Sequence, residues 1–538
     1  MIFQPKLPTT FKEYNKKRFV NDLIAGIIVA IIALPLSIAL AIASGVGPEK
    51  GLYTAIIAGF VIAVFGGSNV NISGPTAAFA TIVAGIVATE GLDGLVIATI
   101  LAGIILILMG VLKLGSLIKY IPFTITTGFT AGIAVTILVG QIKDFLGLSY
   151  PAGTITIETL EKLEAILHNI TTFNYQAFLV GAVSLAILIV WPRISKKIPG
   201  SLIVVLLGSV VVKIFGLNVN TIGDLYSITS ALPTPSLPYL SIERIVQLIP
   251  NAFTIAILAG IESLLSCVVS DGMINDKHNS NTELIAQGLG NVCSGIFGGI
   301  PATGAIARTA ANVKNGGRSP ISGIVHAIIL FIVLVIAMPL TSWIPMPVIA
   351  AILFMVAYNM SEWRRFVHIC KTASISDILV LVLTFSLTVV FDLVVAIAVG
   401  LIATAFLFMK KMADSASMRV WDSDGSKPIP RNTVVFEING PMFFAATDKF
   451  LNFPRDDNAK VMIIRASNMT VLDSTAVRNL ENLYKECQKD EITLVFSHVN
   501  DDVLAVIKKS GLYDKVGQDN FCKNIDEAIK KAESIVNS

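Results

Sequence analysis

Long apolar stretches follow one another along most of the chain, separated by a few charged, proline or glycine residues. A helix needs about 20 apolar residues to cross a bilayer core about 30 Å thick, so the longer stretches predict transmembrane helices. Two stretches, 75–90 and 302–312, are too short to cross in this way. The fourteen stretches that we distinguish are 21–45, 52–66, 75–90, 94–113, 121–141, 174–192, 199–217, 247–270, 283–298, 302–312, 320–339, 346–359, 375–391 and 393–410.

Charged residues are distributed unevenly between this apolar region and the rest of the chain. They make up about 9% of residues 21–410 but about 28% of residues 411–538, and 14% of the whole chain. Because soluble proteins are about 25% charged, the composition argues against a soluble enzyme, a disordered chain and a nucleic-acid-binding protein. We therefore predict a cytoplasmic N-terminal segment (1–20), a membrane domain (21–410), a linker (411–430) and a soluble domain (431–538).

Basic residues in the loops predict the orientation of the membrane domain. If the N-terminus is cytoplasmic, more basic residues lie in the inner loops than in the outer loops, as the positive-inside rule requires. An even number of spans then predicts a multi-pass protein of the inner (plasma) membrane with both termini in the cytoplasm. The inner set is Lys113, Lys119, Arg193, Lys196, Lys197, Lys277, Lys314, Arg318, Arg364, Arg365 and Lys371, and the outer set is Lys50, Lys143, Lys162 and Arg244.

The soluble region alternates between strand and helix patterns, which predicts a small α/β domain. The expected strands are 433–438, 460–465 and 492–497, and the expected helices are 442–450, 474–489, 503–510 and 525–536. Asp473 or Ser474 fits an N-cap of the helix that starts near 474. The alternative is that Ser474 is a phosphorylation site that changes a partner-binding surface.

The two short stretches resemble each other and divide the membrane domain into two repeats, about 21–217 and 247–410. Pro75 stands at the start of one short stretch and Pro301 at the start of the other, each followed by small residues. Each stretch is third in a group of seven, and an odd number of spans per repeat inverts the second copy. Paired short segments interrupted by Gly and Pro indicate the binding site of a transporter, whereas a single such break is often a simple kink.

A helix that begins inside the membrane has unpaired backbone N–H groups at its start. Two such starts that face each other bring together the positive ends of two helix dipoles, which suits an anion. Small residues let the ligand approach the backbone, and Thr76 and Thr303 are expected to add hydroxyl donors. The predicted anion site comprises Ser73, Thr76, Ala77, Ala78, Ala302, Thr303, Gly304, Ala305 and Arg308.

Glu262 and Arg308 are ionisable residues that lie within apolar stretches. A charge at the centre of a bilayer costs about 3 kcal/mol or more, so a functional role is expected. The planar guanidinium of Arg308 suits an oxyanion. Glu262 could carry a coupling proton, because removal from water favours a neutral carboxyl group, or it could bind Na⁺ together with Ser266. The alternative is a purely structural ion pair between Glu262 and Arg308.

The sequence provides no indication of catalysis or of a metal site. The five cysteines form no CxxC pair, and the five histidines lack the spacing of metal ligands. No nucleophile–base pair or glycine-rich nucleotide loop is present. We therefore expect no cofactor other than H⁺ or Na⁺ as a coupling ion.

Several motifs together resemble those of the sulfate permease (SulP) family of anion transporters with a C-terminal STAS domain (sulfate transporter and anti-sigma factor antagonist). The resemblance covers nearly the whole chain, and the surroundings of Glu262 are similar to the bacterial dicarboxylate/sulfate branch. In the soluble domain Asp473-Ser474-Thr475 matches the antagonist motif. The matching stretches of the membrane domain are 22–26, 33–37, 73–79, 260–265, 277–279, 287–291 and 305–312.

This resemblance implies an α-helical membrane protein with fourteen segments in two inverted repeats, a core domain that moves against a gate domain, and a homodimer. It implies an anion site between the two short helices, with Glu262 linked to cation coupling and Arg308 holding the anion. It also implies a helix break at Pro35 in the first span, where Ser37 is the candidate polar ligand.

The leading functional hypothesis is secondary active transport of a small inorganic or organic anion of the sulfate or C4-dicarboxylate class, by H⁺-coupled symport and alternating access. The alternatives are a Na⁺-coupled bicarbonate transporter, a passive anion channel or motor-like sensor of the same fold, and a signalling protein whose soluble domain binds a partner. A nucleobase symporter is disfavoured, because Arg308 and two helix N-termini suit an anion better than a neutral base.

Overall fold

The computed structural model describes the chain apart from residues 1–2, 12–13, 117–121, 152–153, 155, 157, 196–197, 240, 392, 422–427, 447–457 and 538. The chain divides into two compact units, Met1–Leu401 and Ile402–Ser538. Lys119, Lys196 and Lys197 of the inner-loop set lie outside the described residues, as do residues 447–450 of one expected helix.

Helices form almost all of the first unit, and the last of them continues into the second. In chain order they are α1 (Lys6–Thr10), α2 (Lys16–Ala43), α3 (Pro48–Phe65), α4 (Ala80–Val111), α5 (Phe123–Leu146), α6 (Thr159–His168), α7 (Tyr175–Ile194), α8 (Gly200–Phe215), α9 (Ile222–Leu225), α10 (Ile242–Ile274), α11 (Ser280–Ile296), α12 (Ile306–Lys314), α13 (Ile321–Ala337), α14 (Met346–Ser361), α15 (Trp363–Thr372), α16 (Ile375–Val390) and α17 (Leu393–Ser415). The strands are β1 (Ser73–Gly74) and β2 (Thr303–Gly304), and a short 3-10 helix, Ala77–Phe79, leads into α4.

Each of the fourteen apolar stretches overlaps helical structure. Within the described part of the chain, nine helical segments are long and apolar enough to cross a membrane, and α8 and α16 are shorter apolar helices. The third and fourth stretches meet in α4, whose helical geometry is interrupted at Gly91 with a φ of +72°. Glycine adopts this left-handed conformation without the steric penalty of a Cβ.

The expected helix break in the first span is wrong. Helix α2 continues through Pro35 and Ser37, and both residues are buried. An interior proline removes one backbone hydrogen bond, but neighbouring helices can hold the segment in place. Helix α3 packs so closely here that a Cβ at Gly51 would overlap the Ser37 carbonyl.

The second unit contains a five-stranded sheet with helices packed against it. The strand order is β3-β4-β5-β6-β7, with β3 antiparallel to β4 and the remaining pairs parallel. Residues 417–420, which we expected to be part of the linker, form the edge strand instead. The elements are β3 (Ser417–Val420), β4 (Thr433–Met442), β5 (Val461–Leu472), α18 (Ser474–Lys489), β6 (Thr493–Ser497), α19 (Asp501–Lys509), α20 (Leu512–Val516), β7 (Phe521–Cys522) and α21 (Ile525–Asn537).

The N-cap of α18 is Asp473, one of the two residues that we expected in that position. Its Oδ1 accepts a hydrogen bond from the Ala476 N–H at 2.8 Å, and its Oδ2 accepts one from the Phe444 N–H at 3.0 Å. Ser474 follows as the first residue of the helix and is exposed. Its phosphorylation stays a prediction.

Glu437 in β4 is 3% exposed and is held by two arginines. Arg419 donates from Nη2 to Oε2 at 2.6 Å, and Arg465 Nη1 lies 3.0 Å from Oε1. Burial acts to raise the pKa of this carboxyl group, but hydrogen bonds from Arg419 and Asn439 and the charges of both arginines outweigh it. The pKa of Glu437 therefore lies below its ordinary value.

Glu437→Gln is expected to destabilise the second unit at neutral pH and to have less effect in acid. A depressed carboxyl pKa stabilises the fold above the unfolded pKa of about 4.3, and this contribution is lost as the pH falls through the folded value. Hydrogen bonds to charged groups contribute about 1.5–3 kcal/mol. Thermal unfolding at pH 7 and pH 3 measures the difference, with Glu481→Gln, which loses the more exposed pair with Lys515, as the control. An equal loss of stability at both pH values contradicts the prediction.

Candidate anion site at the paired helix starts

The two short segments of the membrane unit lie side by side. β1 pairs with β2 in antiparallel register, with Ser73 opposite Gly304 and Gly74 opposite Thr303. The first segment then enters the 3-10 helix that precedes α4, and the second enters α12. Because the strands are antiparallel, the two segments leave the pair in opposite directions, as expected for inverted repeats.

The helix starts that follow this pair carry no side-chain caps. Thr76 and Ala305 occupy the N-cap positions, and neither accepts a capping hydrogen bond through its side chain. The first N–H groups of a helix have no partner within the helix. Ile306 and Ala307 in the first turn of α12 are exposed, whereas Ala77 and Ala78 are buried. Backbone donors at both starts are therefore suited to an anion.

Pro75 and Pro301 lie in the extended segments before the helices, two and five residues ahead of the first helical position. The start of each short apolar stretch is therefore not the start of its helix. The pairing of β1 with β2 delays the start of both helices, and proline fits extended backbone because its φ is fixed near −65° and it has no N–H to satisfy.

Arg308 connects the two segments. Its side chain is 3% exposed, and its Nη2 donates to the Pro75 carbonyl oxygen. Its Nη1 has no hydrogen-bond partner within the described part of the chain. A buried donor without a partner costs about 1–3 kcal/mol, so a ligand acceptor at Nη1 would remove this cost.

Glu262 in α10 is placed at the start of the first segment. Its Oε2 accepts a hydrogen bond from Thr76 Oγ1 at 2.9 Å. Among the described ion pairs, none joins Glu262 to Arg308 within 4 Å. The structural ion pair that we weighed as an alternative is thus not formed, and the two charged side chains hold separate partners in the first segment.

Several groups expected to contact the anion are instead engaged within the protein. Thr76 donates to Glu262, and Thr303 donates to the Ala259 carbonyl at 2.9 Å and lies 2.7 Å from Ser263 Oγ. Both hydroxyl groups therefore hold the segments in place, contrary to the expectation that they act as ligand donors. Ser73 Oγ accepts from Gln287 Nε2 at 2.9 Å, so its oxygen is also used.

The backbone of the second segment is likewise occupied before α12 begins. Ala302 N–H donates to Asn291 Oδ1 at 2.8 Å, and Gly304 N–H donates to Ser263 Oγ at 2.9 Å. Ala305 N–H donates to the Ile72 carbonyl at 2.8 Å. The candidate donors that these hydrogen bonds leave are the N–H groups of the first helical turns and Arg308 Nη1.

Ser266, the residue expected to bind Na⁺ together with Glu262, forms its hydrogen bonds with other residues, and its role in cation coupling stays a prediction. Its hydroxyl lies 2.8 Å from Asn71 Oδ1 and 3.1 Å from Thr309 Oγ1. It therefore belongs to a polar cluster behind the paired strands. These partners are far away in sequence, so the spacing of Glu262 and Ser266 by one helical turn did not reveal them.

A buried polar stripe on α11 supports both segments, and the sequence analysis missed it. Glu283, Gln287, Asn291 and Ser294 are all 0% exposed. Glu283 and Gln287 contact the first segment, while Asn291 and Ser294 bond the backbone of 300–302. The spacing of three and four residues places these side chains on one helix face. A polar stripe at helical spacing in an apolar stretch was the available signal.

A cavity of about 310 Å³ reaches the first segment at Ala78. Its lining is rich in hydroxyl groups, and Glu158 is a charged member of it. The threonines that line it are Thr81, Thr89, Thr136, Thr159, Thr254 and Thr388. Ala78 is the residue that this cavity shares with the predicted anion site.

The sequence matches two known protein families, one in the membrane domain and one in the soluble domain. Residues 19–384 match the Sulfate permease family, and residues 426–528 match the STAS domain. The chain belongs to the sulfate permease family. This confirms the resemblance inferred from the motifs, and with it the helical membrane domain followed by a STAS domain.

Relatives and solved structures agree with this assignment. The chain is 39% identical over 531 residues to Putative sulfate transporter YvdB of Bacillus subtilis, covering 96% of this chain and 98% of that protein. It is 31% identical over 552 residues to Bicarbonate transporter BicA of Picosynechococcus sp., covering 96% of each. The transmembrane domain of a cyanobacterial BicA aligns with a TM-score of 0.64 and 30% identity, over 73% of this chain and 98% of that chain.

The fold also extends to a more distant protein. Murine Slc26a9 in the inward-facing state aligns with a TM-score of 0.90 over 98% of this chain and 94% of that chain. At 17% identity, this likeness shows the shared fold alone.

Gly74→Ala is expected to weaken anion binding in this sulfate permease family member by displacing Arg308. A Cβ at Gly74 would lie 2.6 Å from Arg308 Nη1, so the guanidinium must move. We expect the uptake KM to rise about tenfold, equivalent to about 1.4 kcal/mol. The control is Gly272→Ala, where a Cβ meets nothing within 4 Å. Equal KM values in the two variants contradict the prediction.

Proposed function

We propose that this protein is a secondary active transporter that carries a small anion across the membrane by alternating access. The observation that carries the proposal is the buried Arg308, whose Nη1 lacks a partner within the described residues beside two uncapped helix starts. A fixed positive charge and aligned N–H groups favour an anion over a neutral or cationic ligand.

We propose that the transported anion is sulfate or a C4-dicarboxylate. A planar guanidinium and two helix starts suit a ligand with several oxygen acceptors. The relatives named as putative sulfate transporters support this choice. The candidate donors are Arg308 Nη1 and the first-turn N–H groups of Ala77, Ala78, Ile306 and Ala307.

Coupling to H⁺ is proposed to occur at Glu262. Its carboxyl group shares a hydrogen bond with Thr76, the residue from which the first helix starts. Gain or loss of a proton there changes the charge next to the anion site. The same carboxylate could bind Na⁺, and the relative named as a bicarbonate transporter favours Na⁺-coupled bicarbonate uptake as the second candidate.

The finer architecture belongs to the same proposal. We infer fourteen membrane segments, a core domain that moves against a gate domain, and a homodimer in the inner membrane with cytoplasmic termini. The excess of basic residues in the inner loops supports this orientation. The exposed Ser474 at the start of α18 is a candidate site at which phosphorylation would alter a partner surface of the STAS domain.

Uptake by purified protein in proteoliposomes tests the function. Labelled sulfate, fumarate and bicarbonate are offered with and without imposed H⁺ or Na⁺ gradients. We expect saturable uptake of one anion class that is increased by an inward H⁺ gradient. An increase with Na⁺ alone favours the second candidate, and currents too fast for alternating access indicate a channel. Uptake that no gradient changes contradicts coupled transport.

A further inference from the structure

Glu283 is a fully buried carboxyl group near the start of α11, with 0% exposure. Among the described ion pairs, none places a basic group within 4 Å of it. Neutral groups surround it instead, among them the Cys267 thiol and three N–H donors. Gly67 N–H donates to Oε2 at 2.9 Å, and Asn71 Nδ2 and Gln287 Nε2 donate to Oε1 at 2.7 and 3.0 Å.

Glu283 does not cap α11, although it lies in the first turn of that helix. Asn279 is the N-cap, and its side chain accepts from the Thr282 N–H at 3.1 Å. The Glu283 side chain points away from this cap to Gly67 and Asn71, more than 200 residues earlier in the chain. A buried charge is costly to retain, so this arrangement calls for a role beyond helix capping.

The carboxylate determines how the Asn71 amide is oriented. Because Nδ2 donates to Glu283, Oδ1 is turned towards Ser266 and Thr309, whose hydroxyl oxygens lie 2.8 and 3.0 Å away. Thr309 Oγ1 in turn accepts from the Ile72 N–H at 2.9 Å. The chain of hydrogen bonds therefore runs from Glu283 through Asn71 to α12 and to the backbone that leads into β1.

A second branch of hydrogen bonds runs from Glu283 to β1. Gln287 Nε2 donates both to Glu283 Oε1 and to Ser73 Oγ, at 3.0 and 2.9 Å. Ser73 is paired with Gly304 of β2. Both branches thus end at the two segments that present the helix starts, and a single acceptor group fixes both amides.

We propose that Glu283 is a positioning residue for anion binding, whose carboxylate holds the Asn71 and Gln287 amides and thereby the spacing of the two helix starts. The inference rests on the proposed function, because it concerns the affinity of that same anion site. Glu283 itself does not touch the anion. Its effect is on the geometry of donors, so it changes KM more than the maximal rate.

Glu283→Gln is the decisive variant, because it preserves shape while replacing one acceptor oxygen by a donor. In either orientation of the new amide, its NH₂ group faces another donor: the Gly67 N–H in one orientation, and the side-chain amides of Asn71 and Gln287 in the other. We expect the uptake KM to rise about tenfold, as for loss of a hydrogen bond to a charged group, with the maximal rate changed less than about twofold. Glu243→Gln, which neutralises an exposed carboxylate on α10, is the matched control.

A double-mutant cycle with Asn71→Ala tests whether Glu283 acts through that amide. Interacting residues show non-additive effects, so the double variant is expected to match the weaker-binding single variant. An unchanged KM in Glu283→Gln overturns the proposal. So does a double variant whose fold-increase in KM equals the product of the fold-increases in the two single variants. If Glu283→Gln does not fold, Gln287→Leu removes one of the N–H donors to Glu283, and an unchanged KM in that variant overturns the proposal equally. Absence of uptake by the parent protein instead contradicts the proposed function.

Discussion

Arg308→Gln is expected to raise the anion KM by about 100-fold. The variant removes the only full positive charge among the donors proposed for the site, and the remaining donors are helix N-termini with about half a charge each. A factor of 100 corresponds to about 2.7 kcal/mol, within the range for a hydrogen bond to a charged group. The Gln side chain is two bonds shorter than that of Arg, so the variant is also expected to lose the hydrogen bond from Nη2 to the Pro75 carbonyl.

Arg308→Lys separates charge from geometry at this position. The guanidinium holds Pro75 through Nη2 while Nη1 stays available, and an ammonium group has no such planar fork. We expect a KM between those of the parent and Arg308→Gln. Arg364→Gln, an exposed residue of α15, is the control for loss of one basic residue. An unaltered KM in Arg308→Gln would reduce Arg308 to a structural role.

The candidate site residues that the sequence singles out are charged residues or prolines within apolar stretches, where such residues are unusual. Glu262 and Arg308 are ionisable residues in apolar stretches, and Pro75 and Pro301 interrupt short stretches at matching positions. Such signals need no knowledge of distant contacts. The prediction that the two short segments belong together is borne out by their antiparallel pairing.

The partners of the hydroxyl and amide groups could not be predicted. Thr303 looked like a ligand donor, but Ala259 and Ser263, which hold it, come from another helix. The local sequence around Glu283 does not reveal that Gly67 and Asn71 lie beside its side chain. Hydrogen bonds across large sequence separations depend on tertiary packing.

Packing also explains why local rules failed at Pro35 and at residues 417–420. The proline rule predicts a break, but α2 is buried along this length and continues through Pro35. Residues 417–420 had no strand signal of their own, and their pairing with β4 is what makes them a strand. In both cases a neighbouring element determines the local structure.

Glu262→Gln is expected to abolish accumulation driven by a pH gradient while anion exchange continues. A pH difference of one unit is worth about 1.4 kcal/mol per proton, which supports about tenfold accumulation in a one-proton symporter. The glutamine side chain can still accept the Thr76 hydrogen bond, so the start of the first segment should keep its position. It carries no titrating proton, and the anion should therefore equilibrate without accumulation.

Two measurements on the same proteoliposomes separate this mechanism from a loss of folding. Accumulation is followed under an imposed pH gradient, and exchange is followed as counterflow of labelled anion with the pH equal on both sides. Thr76→Val, which removes the hydroxyl group bonded to Glu262, is expected to impair both, because the helix start loses its anchor. Glu243→Gln should impair neither. If Glu262→Gln still accumulates the anion under a pH gradient, Glu262 is excluded as the proton carrier. If the variant accumulates the anion under a Na⁺ gradient but not under a pH gradient, Glu262 serves H⁺ coupling and not Na⁺ coupling.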